Sequence, residues 1–392
     1  MHFGDPIQAA GDAYLASLRH TTSKHAKICE HVREGIASGL YRIGQRIPTE
    51  AELARRFGAC RQTVSQALRQ LEQQGLLTRR RGAGTFVRRR TSTTNNVFGL
   101  LLAGAYSGIF APICARMARV ARTKGYSLVV EDAPSEDADD QALIRGTEEL
   151  CREYVESGVA GVFFAPLILP RHQMEVNVHI AEALDRAGIP VVLLDRDIYD
   201  YPQRSRFDLV GVANRRASQT LTNHLWELGY RRIEYITHLG EVSTVTARSA
   251  GCMDVLQNHG ITPDPKWVHQ GNVRDIAFLR EVMRDSHAEA FVCANDHVAA
   301  RVMRHLATLG IRVPDDVAIV GFDDVDYATL VLVPLTTMRQ PCARIGEMAV
   351  RLMVERLADP GLPAREVSFD CEMVVRESCG AALRGNVAHA VG

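Results

Sequence analysis

From Val97 onward the chain alternates short apolar runs with longer amphipathic stretches that stop at glycine, and this rhythm constrains the fold more than any other feature. Val97 to Ala103 is continuously apolar, as a strand buried on both faces must be. A helical pattern over 109–124 ends at Gly125, and a strand follows at 127–130. A helix over 139–156 ends at Gly158, then come a strand at 161–165, a helix over 178–187 and a strand at 190–194. Further strands are predicted at 209–212, 233–236, 290–293, 317–321 and near 372–375. Helices are predicted over 216–228, 245–258, 276–284, 297–309 and 345–357. Such alternation forms parallel sheets covered by helices. There are too many strands for one small sheet, so two α/β lobes are the economical arrangement. No repeat of solenoid length is present.

The stretch before this core has a different character. Residues 1–23 read as a loosely ordered extension, the alternative being a short amphipathic helix from Ala10 to Leu18. A helix over 24–38 carries Ile28, Val32 and Ile36 every four residues. Thr49 and Glu52 form a capping box, in which each side chain satisfies an orphan amide at a helix start. Leu53 and Phe57 give that short helix an apolar stripe, and Gly58 stops it. A second helix starts near Arg61 and buries Val64, Ala67, Leu68 and Leu71. Two short helices about a tight turn make a helix-turn-helix, whose second helix presents its first turns to base edges in the major groove. Here those residues are Arg61, Gln62, Thr63, Ser65 and Gln66. Arg pairs with guanine and Gln with adenine in two-point fashion. Two β-prone runs around Gly82-Ala83-Gly84 form a hairpin, and the neighbouring arginines Arg79, Arg80 and Arg81 would face phosphates. The plainer reading of that arginine run is a solvated surface. Residues 88–96, with three arginines and a Ser/Thr/Asn tract, read as a linker.

The formal charge sums to zero, but it is unevenly spread. Residues 1–96 hold 16 Lys and Arg against 7 Asp and Glu, and the remainder holds 30 against 39. A basic module joined to an acidic one is the footprint of a nucleic-acid reader with a second, separate task. Nine cysteines without a C-x-x-C pair point to a reducing cytoplasm rather than a disulfide framework. No stretch approaches a membrane span, and Met1 to Arg19 lacks the apolar run of a signal peptide.

Ligands of doubly wound sheets sit beyond the carboxyl ends of the strands. The residues standing there are Tyr106 and Phe110, Asp195 and Arg196, Arg248, Asn295 with Asp296, and Phe322-Asp323-Asp324. Carboxylates, amides and guanidinium groups around aromatic faces suit a polyhydroxylated small molecule, whose hydroxyls donate and accept while a ring face stacks. Each has a plainer reading: Asn295 as a helix cap, Arg196 paired with Asp197 on the surface. Scattered histidines (His172, His179, His238, His297) form no triad or metal motif, no G-x-x-x-x-G-K loop occurs, and after the linker the lysines are Lys124 and Lys266. No cofactor, no metal and no catalysis are expected.

Two resemblances sharpen this. The run from Ala26 to Val87 resembles the winged helix-turn-helix of the gluconate-repressor (GntR) family, through Ile36 to Tyr41, Pro48-Thr49-Glu50, Glu52-Leu53-Ala54, Phe57-Gly58, Arg61, Thr63-Val64 and Gly82 to Val87. The family pattern implies DNA contacts from Thr49, Glu50, Arg61, Gln62, Thr63, Ser65, Gln66, Arg80, Arg81, Gly82 and Gly84. Ala51 and Ser65 depart from its commoner basic residues, which moves the expected base recognition towards Arg61, Gln62, Thr63 and the glycine wing. Residues 97–378 resemble the effector core of the lactose/galactose repressor (LacI/GalR) family, itself like periplasmic sugar-binding proteins. Carrying runs are Ile189 to Arg196, Arg248 to Gly251, Phe291 to Asp296, Pro314 to Asp324 and Pro334 to Gln340. That resemblance implies crossings near Val212, Gln340 and Asp370, a dimer, and a ligand held by Asp195 or Arg196, Arg248, Asn295 and Asp323, with Gln340 at the hinge. Past Gln340 stand Pro341 and Cys342 where the family often has a bulky group. The pairing of head and core is similar to the arabinose-repressor architecture of bacilli.

The expectation is an α/β protein: a two-lobed, doubly wound, periplasmic-binding-protein-like core preceded by a small winged helix-turn-helix. Its parts would be the extension at 1–23, head at 24–87, linker at 88–96, core at 97–378 and tail at 379–392. Lobe 1 would take about 97–212 and 341–370, and lobe 2 about 213–340 and 371–378. The expected function is a repressor binding double-stranded operator DNA as a homodimer, controlled by a monosaccharide or derivative. The alternatives are a sugar-processing α/β enzyme with a DNA-binding appendage and an architectural DNA binder without a ligand response.

Overall fold

The computed structural model describes residues 24–37, 40–41, 44–73, 76–80, 84–87, 96–102, 108–130, 139–169, 174–240 and 242–384. The expected extension at 1–23, most of the linker, and Arg81, Gly82 and Tyr106 lie outside the described residues.

The head holds helices α1 (Lys24–Ala37), α2 (Glu50–Phe57) and α3 (Arg61–Gln73), then strands β1 (Leu77–Arg80) and β2 (Gly84–Val87). Thr49 starts α2 as read: its hydroxyl accepts the Glu52 amide at 3.3 Å, while the Glu52 carboxylate accepts the Thr49 amide at 2.7 Å. Gly58 closes α2 in the left-handed region, at φ 55°. Ile28, Val32, Leu53, Val64, Leu68, Leu71 and Leu77 form one buried cluster, so the apolar stripes of all three helices meet. β1 and β2 pair antiparallel, with Leu77 opposite Val87 and Arg80 opposite Gly84. The segment before α2 widens this ribbon. Ile47 donates to the Thr85 carbonyl at 3.0 Å and Val87 to that of Gln45 at 2.9 Å.

The core begins with β3 (Val97–Leu102), α4 (Phe110–Thr123), β4 (Ser127–Val129), α5 (Asp140–Ser157), β5 (Gly161–Ala165), α6 (Glu175–Arg186), β6 (Val191–Leu194) and β7 (Asp208–Val212). It continues with α7 (Asn214–Glu227), β8 (Ile233–His238), α8 (Ser243–Asn258), β9 (Val268–Gly271), α9 (Ile276–Asp285), β10 (Ala290–Cys293), α10 (Asp296–Thr308) and β11 (Ala318–Val320). It ends with β12 (Thr337–Arg339), α11 (Cys342–Ala358), β13 (Glu366–Phe369), β14 (Glu372–Val374) and the short α12 (Ala381–Arg384).

Two parallel sheets result. One runs β13-β7-β6-β5-β3-β4 and the other β11-β10-β8-β9, each the centre of one lobe. Their central strands are apolar on both faces, as parallel strands covered by helices require: Phe98, Leu100, Phe163, Phe164, Val192 and Leu193 in one, Ile233, Tyr235, Phe291 and Ile319 in the other are all buried. Between the sheets, β12 pairs antiparallel with β14, placing Met338 opposite Met373. Three strands escaped the sequence reading. β9 and β13 are edge strands with mixed exposure and little apolar signal, and β12 has three residues.

The return of the chain to the first lobe depends on a buried ion cluster. Asp208, with a fully buried side chain at the start of β7, accepts from Arg356 on α11 at 2.9 Å and 3.1 Å. It also accepts from the Arg365 amide at 2.8 Å and its guanidinium at 3.3 Å, just before β13. Among the described residues the cysteines carry free thiols, and no helix is long and apolar enough to cross a membrane. Removing one member of a buried pair leaves its partner charged and unmatched. Asp208→Ala is therefore expected to destabilise the core by about 3–5 kcal/mol, read as a lowered midpoint in urea unfolding, whereas breaking the exposed Arg284–Asp285 pair should leave the midpoint nearly unchanged.

Candidate DNA-binding face and ligand cleft

The first turn of α3 presents Arg61, Gln62 and Gln66 to solvent, with Thr63 and Ser65 half-buried beside them. Arg61 is held only by a loose 3.5 Å pair with Glu50, its side chain 88% exposed. Glu50 also meets Arg79 at 3.3 Å. Arg79 in turn donates to the Ser65 carbonyl at 3.1 Å and pairs with Glu72 at 3.6 Å. The expectation that all three wing arginines face phosphates is corrected at Arg79, which ties α2, α3 and β1 together inside the head. Glu50 belongs to the same brace, and Thr49 spends its hydroxyl on the helix cap. Thr63 accepts from or donates to the Cys60 thiol at 3.1 Å. Gly84 sits at φ 118°, and a Cβ there would lie 2.6 Å from Nε of Arg46. The glycine thus lets the wing lie against an exposed arginine that the sequence reading did not single out. Arg80 stands in β1 opposite Gly84.

In the core the predicted residues converge past the carboxyl ends of β6, β10 and β11. The backbone marks the place. The non-glycine residues with positive φ among the described ones are Asp195 (68°), Asp323 (117°) and Asp324 (55°), all at these strand ends. Strained backbone held by its surroundings clusters at ligand sites. The Asp195 amide donates to the Val210 carbonyl and that of Asp323 to the Met338 carbonyl, each at 2.8 Å, which fixes both loops.

Arg248 on α8 is the hub. Its Nε donates to Asn214 at 2.8 Å, its Nη1 to the Ala294 carbonyl at 2.8 Å, and its Nη2 faces Asp323 at 3.8 Å. Its guanidinium carbon lies 3.6 Å from the centroid of the Phe322 ring. Gln340, on the crossover after β12, donates to the same Asp323 oxygen at 2.8 Å. Across from them Arg196 pairs with Asp195 at 3.5 Å, their side chains 9% and 10% exposed. The alternative of a surface Arg196–Asp197 pair is corrected: Asp197 accepts instead from Tyr199 and Ser205 within its own loop.

Other predicted residues fall differently. Asn295 caps α10, its side-chain oxygen accepting the Val298 amide at 2.9 Å, so its plainer reading is the one the geometry shows. Phe110 opens α4 half-buried and packs on the core. Asp296 is buried behind the cleft, accepting from Thr337 at 2.6 Å and the Val325 amide at 3.0 Å. Asp324 is clamped by Arg339 and Arg376, each at 2.6 Å. Sequence reasoning missed Asn214, which only the folded chain brings to Arg248. Phe322 was quoted but not selected. A separate cavity of about 450 Å³ borders β9 and α9, with Trp267, His269 and Phe278 in its wall. Glu234 beneath it accepts from Arg232, His269 and Ser286 at 2.6–2.8 Å, so its charge is met inside the protein.

Burial pushes Asp323 up to about 6, although Arg248 and Gln340 pull it down and Asp195 adds to the rise. Burial, then the nearby Asp323 charge, push Asp296 up to about 7. A carboxyl raised on folding binds its proton more tightly in the folded chain, so its contribution is full below the unfolded value near 4 and is lost as pH climbs through about 6 to 7. Asp323→Asn removes that loss. Between pH 4 and pH 8 the variant should lose less stability in urea unfolding than the parent, by up to about 3 kcal/mol, whatever fixed offset comes from leaving Arg248 without its counter-charge; equal losses would refute the assignment.

Residues 24–87 match the gntR family of bacterial regulatory proteins, and residues 222–379 match a periplasmic binding protein-like domain. Over 375 residues the chain is 27% identical to an arabinose metabolism transcriptional repressor of Geobacillus stearothermophilus, covering 91% of this chain and 98% of that one. Over 290 residues it is 24% identical to the HTH-type transcriptional repressor PurR of Aliivibrio salmonicida, covering 73% and 82%. The structure of the transcriptional regulator CelR–cellobiose complex is similar with a TM-score of 0.63 at 22% identity, covering 85% of this chain and 100% of that one. A LacI family transcriptional regulator from Enterococcus faecium with bound ribose gives 0.58 at 20% identity, covering 72% and 98%. At that identity the structural likenesses speak for the two-lobed fold. The chain is a DNA-binding transcription regulator in which a gntR-family helix-turn-helix domain is joined to a periplasmic-binding-protein-like domain.

Proposed function

We propose that the protein is a cytoplasmic repressor that binds a palindromic operator as a homodimer and is controlled by a monosaccharide, or a close derivative, held between its two lobes. The observation that carries this reading is the electrostatic contact across the lobes, of Arg196 with Arg248 and of Asp195 with Asp323, next to Gln340 on a crossover. A sugar hydroxyl both donates and accepts, so one small ligand satisfies groups of both lobes at once. Bridging them favours the closed arrangement. The effect on DNA binding then equals the ligand's preference for one arrangement over the other, typically about 1–3 kcal/mol. The arabinose metabolism and PurR relatives are repressors by name, which supports the sense of the regulation.

Two further features support the reading. Arg61, Gln62 and Gln66 lie on the exposed face of α3, as base-reading side chains must, with Arg61 held by no more than its 3.5 Å pair with Glu50 among the described residues. Leu330 and Leu332, 80% and 83% exposed, lie beside the half-exposed Tyr327 on the core. An apolar patch in water favours a protein partner, and a second copy of the chain is the partner a palindrome requires.

Arg61→Ala should weaken specific operator binding by about 1–3 kcal/mol and relax sequence preference, with sugar binding and melting temperature unchanged; unaltered affinity in fluorescence anisotropy at fixed salt would remove Arg61 from the interface. Leu332→Asp should move the protein from dimer to monomer in sedimentation velocity, and a variant still dimeric at micromolar concentration would place the interface elsewhere.

A further inference from the structure

The charges already present in the cleft decide which ligands it admits. Among the described residues two arginines and two aspartates meet there and cancel in two pairs, Arg196 with Asp195 and Arg248 with Asp323, while Asp296 lies behind Asp323 with its carboxyl pushed up to about 7 by burial and by that neighbour. None of the four is more than 17% exposed. Arg248 is already partly engaged. Its Nε donates to Asn214, its Nη1 gives one proton to the Ala294 carbonyl, its Nη2 faces Asp323 at 3.8 Å, and Phe322 covers one face. Gln340 also gives its amide to Asp323.

Two groups are left open. Nε of Arg196 is buried without a hydrogen-bond partner. Arg248 and Gln340 both meet Oδ1 of Asp323, and its Oδ2 accepts no hydrogen bond from the described residues. A hydroxyl group can satisfy an open donor and an open acceptor alike. A phosphate or carboxylate has no proton to give the two aspartates at neutral pH. It would also bring its charge beside two carboxylates in a place where solvent screens little.

We infer that the cleft selects an uncharged polyhydroxylated ligand over its phosphorylated or carboxylated counterpart, and that Asp195 sets this discrimination. The inference rests on the ligand cleft proposed above and narrows what it accepts. Asp195 is the residue to alter because Asn also tolerates the left-handed backbone it adopts at φ 68°. Asp195→Asn leaves Arg196 without its counter-charge, so the described groups no longer cancel.

The test is titration calorimetry on the full-length chain at pH 7.5 with matched pairs: ribose and ribose 5-phosphate, arabinose and arabinose 5-phosphate, glucose and glucose 6-phosphate, galactose and galacturonate. For whichever pair binds, the uncharged member should bind at least about 100-fold more tightly. In Asp195→Asn that ratio should fall by at least about 10-fold, whatever happens to the absolute affinity. A charged member binding as tightly as its neutral partner overturns the inference and leaves the cleft reading standing. An unchanged ratio in Asp195→Asn overturns the role of Asp195. If no member of any pair binds, the sugar reading fails, and the inference falls with it.

Discussion

A guanidinium taken out of water must be met by acceptors on nearly every side, and Arg248 is such a group at the centre of the core. Its partners come from the first crossover at Asn214, from the end of β10 at Ala294 and from the loop after β11 at Asp323. These segments are far apart in the chain and meet because the sheets place them at one edge. Gln340 on the second crossover meets the same aspartate. The Asp323 loop also bridges to Arg339 in β12, which pairs with β14 of the third crossover. The group that would recognise ligand is therefore linked, through Asp323, to the segments that cross between the two lobes.

A well-packed apolar filling would be at least as stable as this network of buried charges. The network instead holds backbone in the left-handed region at three aspartates and leaves a buried arginine nitrogen unpaired. Such costs are borne where a ligand completes the hydrogen bonding. The head shows the opposite economy. There Arg79 and Glu50 are consumed in bracing α3 against the wing, while Arg61 beside them stays exposed. Bracing and reading are divided among neighbouring charges that look alike in sequence.

Much of this was legible in the sequence. The capping box at Thr49 and Glu52, the stop at Gly58 and the βα rhythm after Val97 are local signals, and local signals fix where elements begin and end. Asp195, Arg196, Arg248 and Asp323 could be singled out because a doubly wound sheet exposes whatever follows its strands, whereas Gln340 came only from the resemblance to the lactose/galactose repressor family. The rest depended on contacts between distant segments. Nothing near Asn214 announces Arg248, 34 positions away. Asn295 bears the signature of a ligand residue and of a helix cap alike, and the folded chain uses it as the cap. Arg196 chose Asp195 over Asp197 because a positive φ turns the first aspartate into the cleft loop and Ser205 claims the second. The edge strand β9 has no period to read, and β13 alternates polar and apolar residues over only four positions, from Glu366 to Phe369.

The central claim is that the cleft and the DNA-reading face share one equilibrium. It is tested most directly by measuring the affinity of the full-length protein for its best-binding sugar twice, once alone and once saturated with operator DNA. Linkage requires the two values to differ by the factor by which the sugar changes DNA affinity, about 5–150-fold. Equal sugar affinities in the two measurements would contradict the claim.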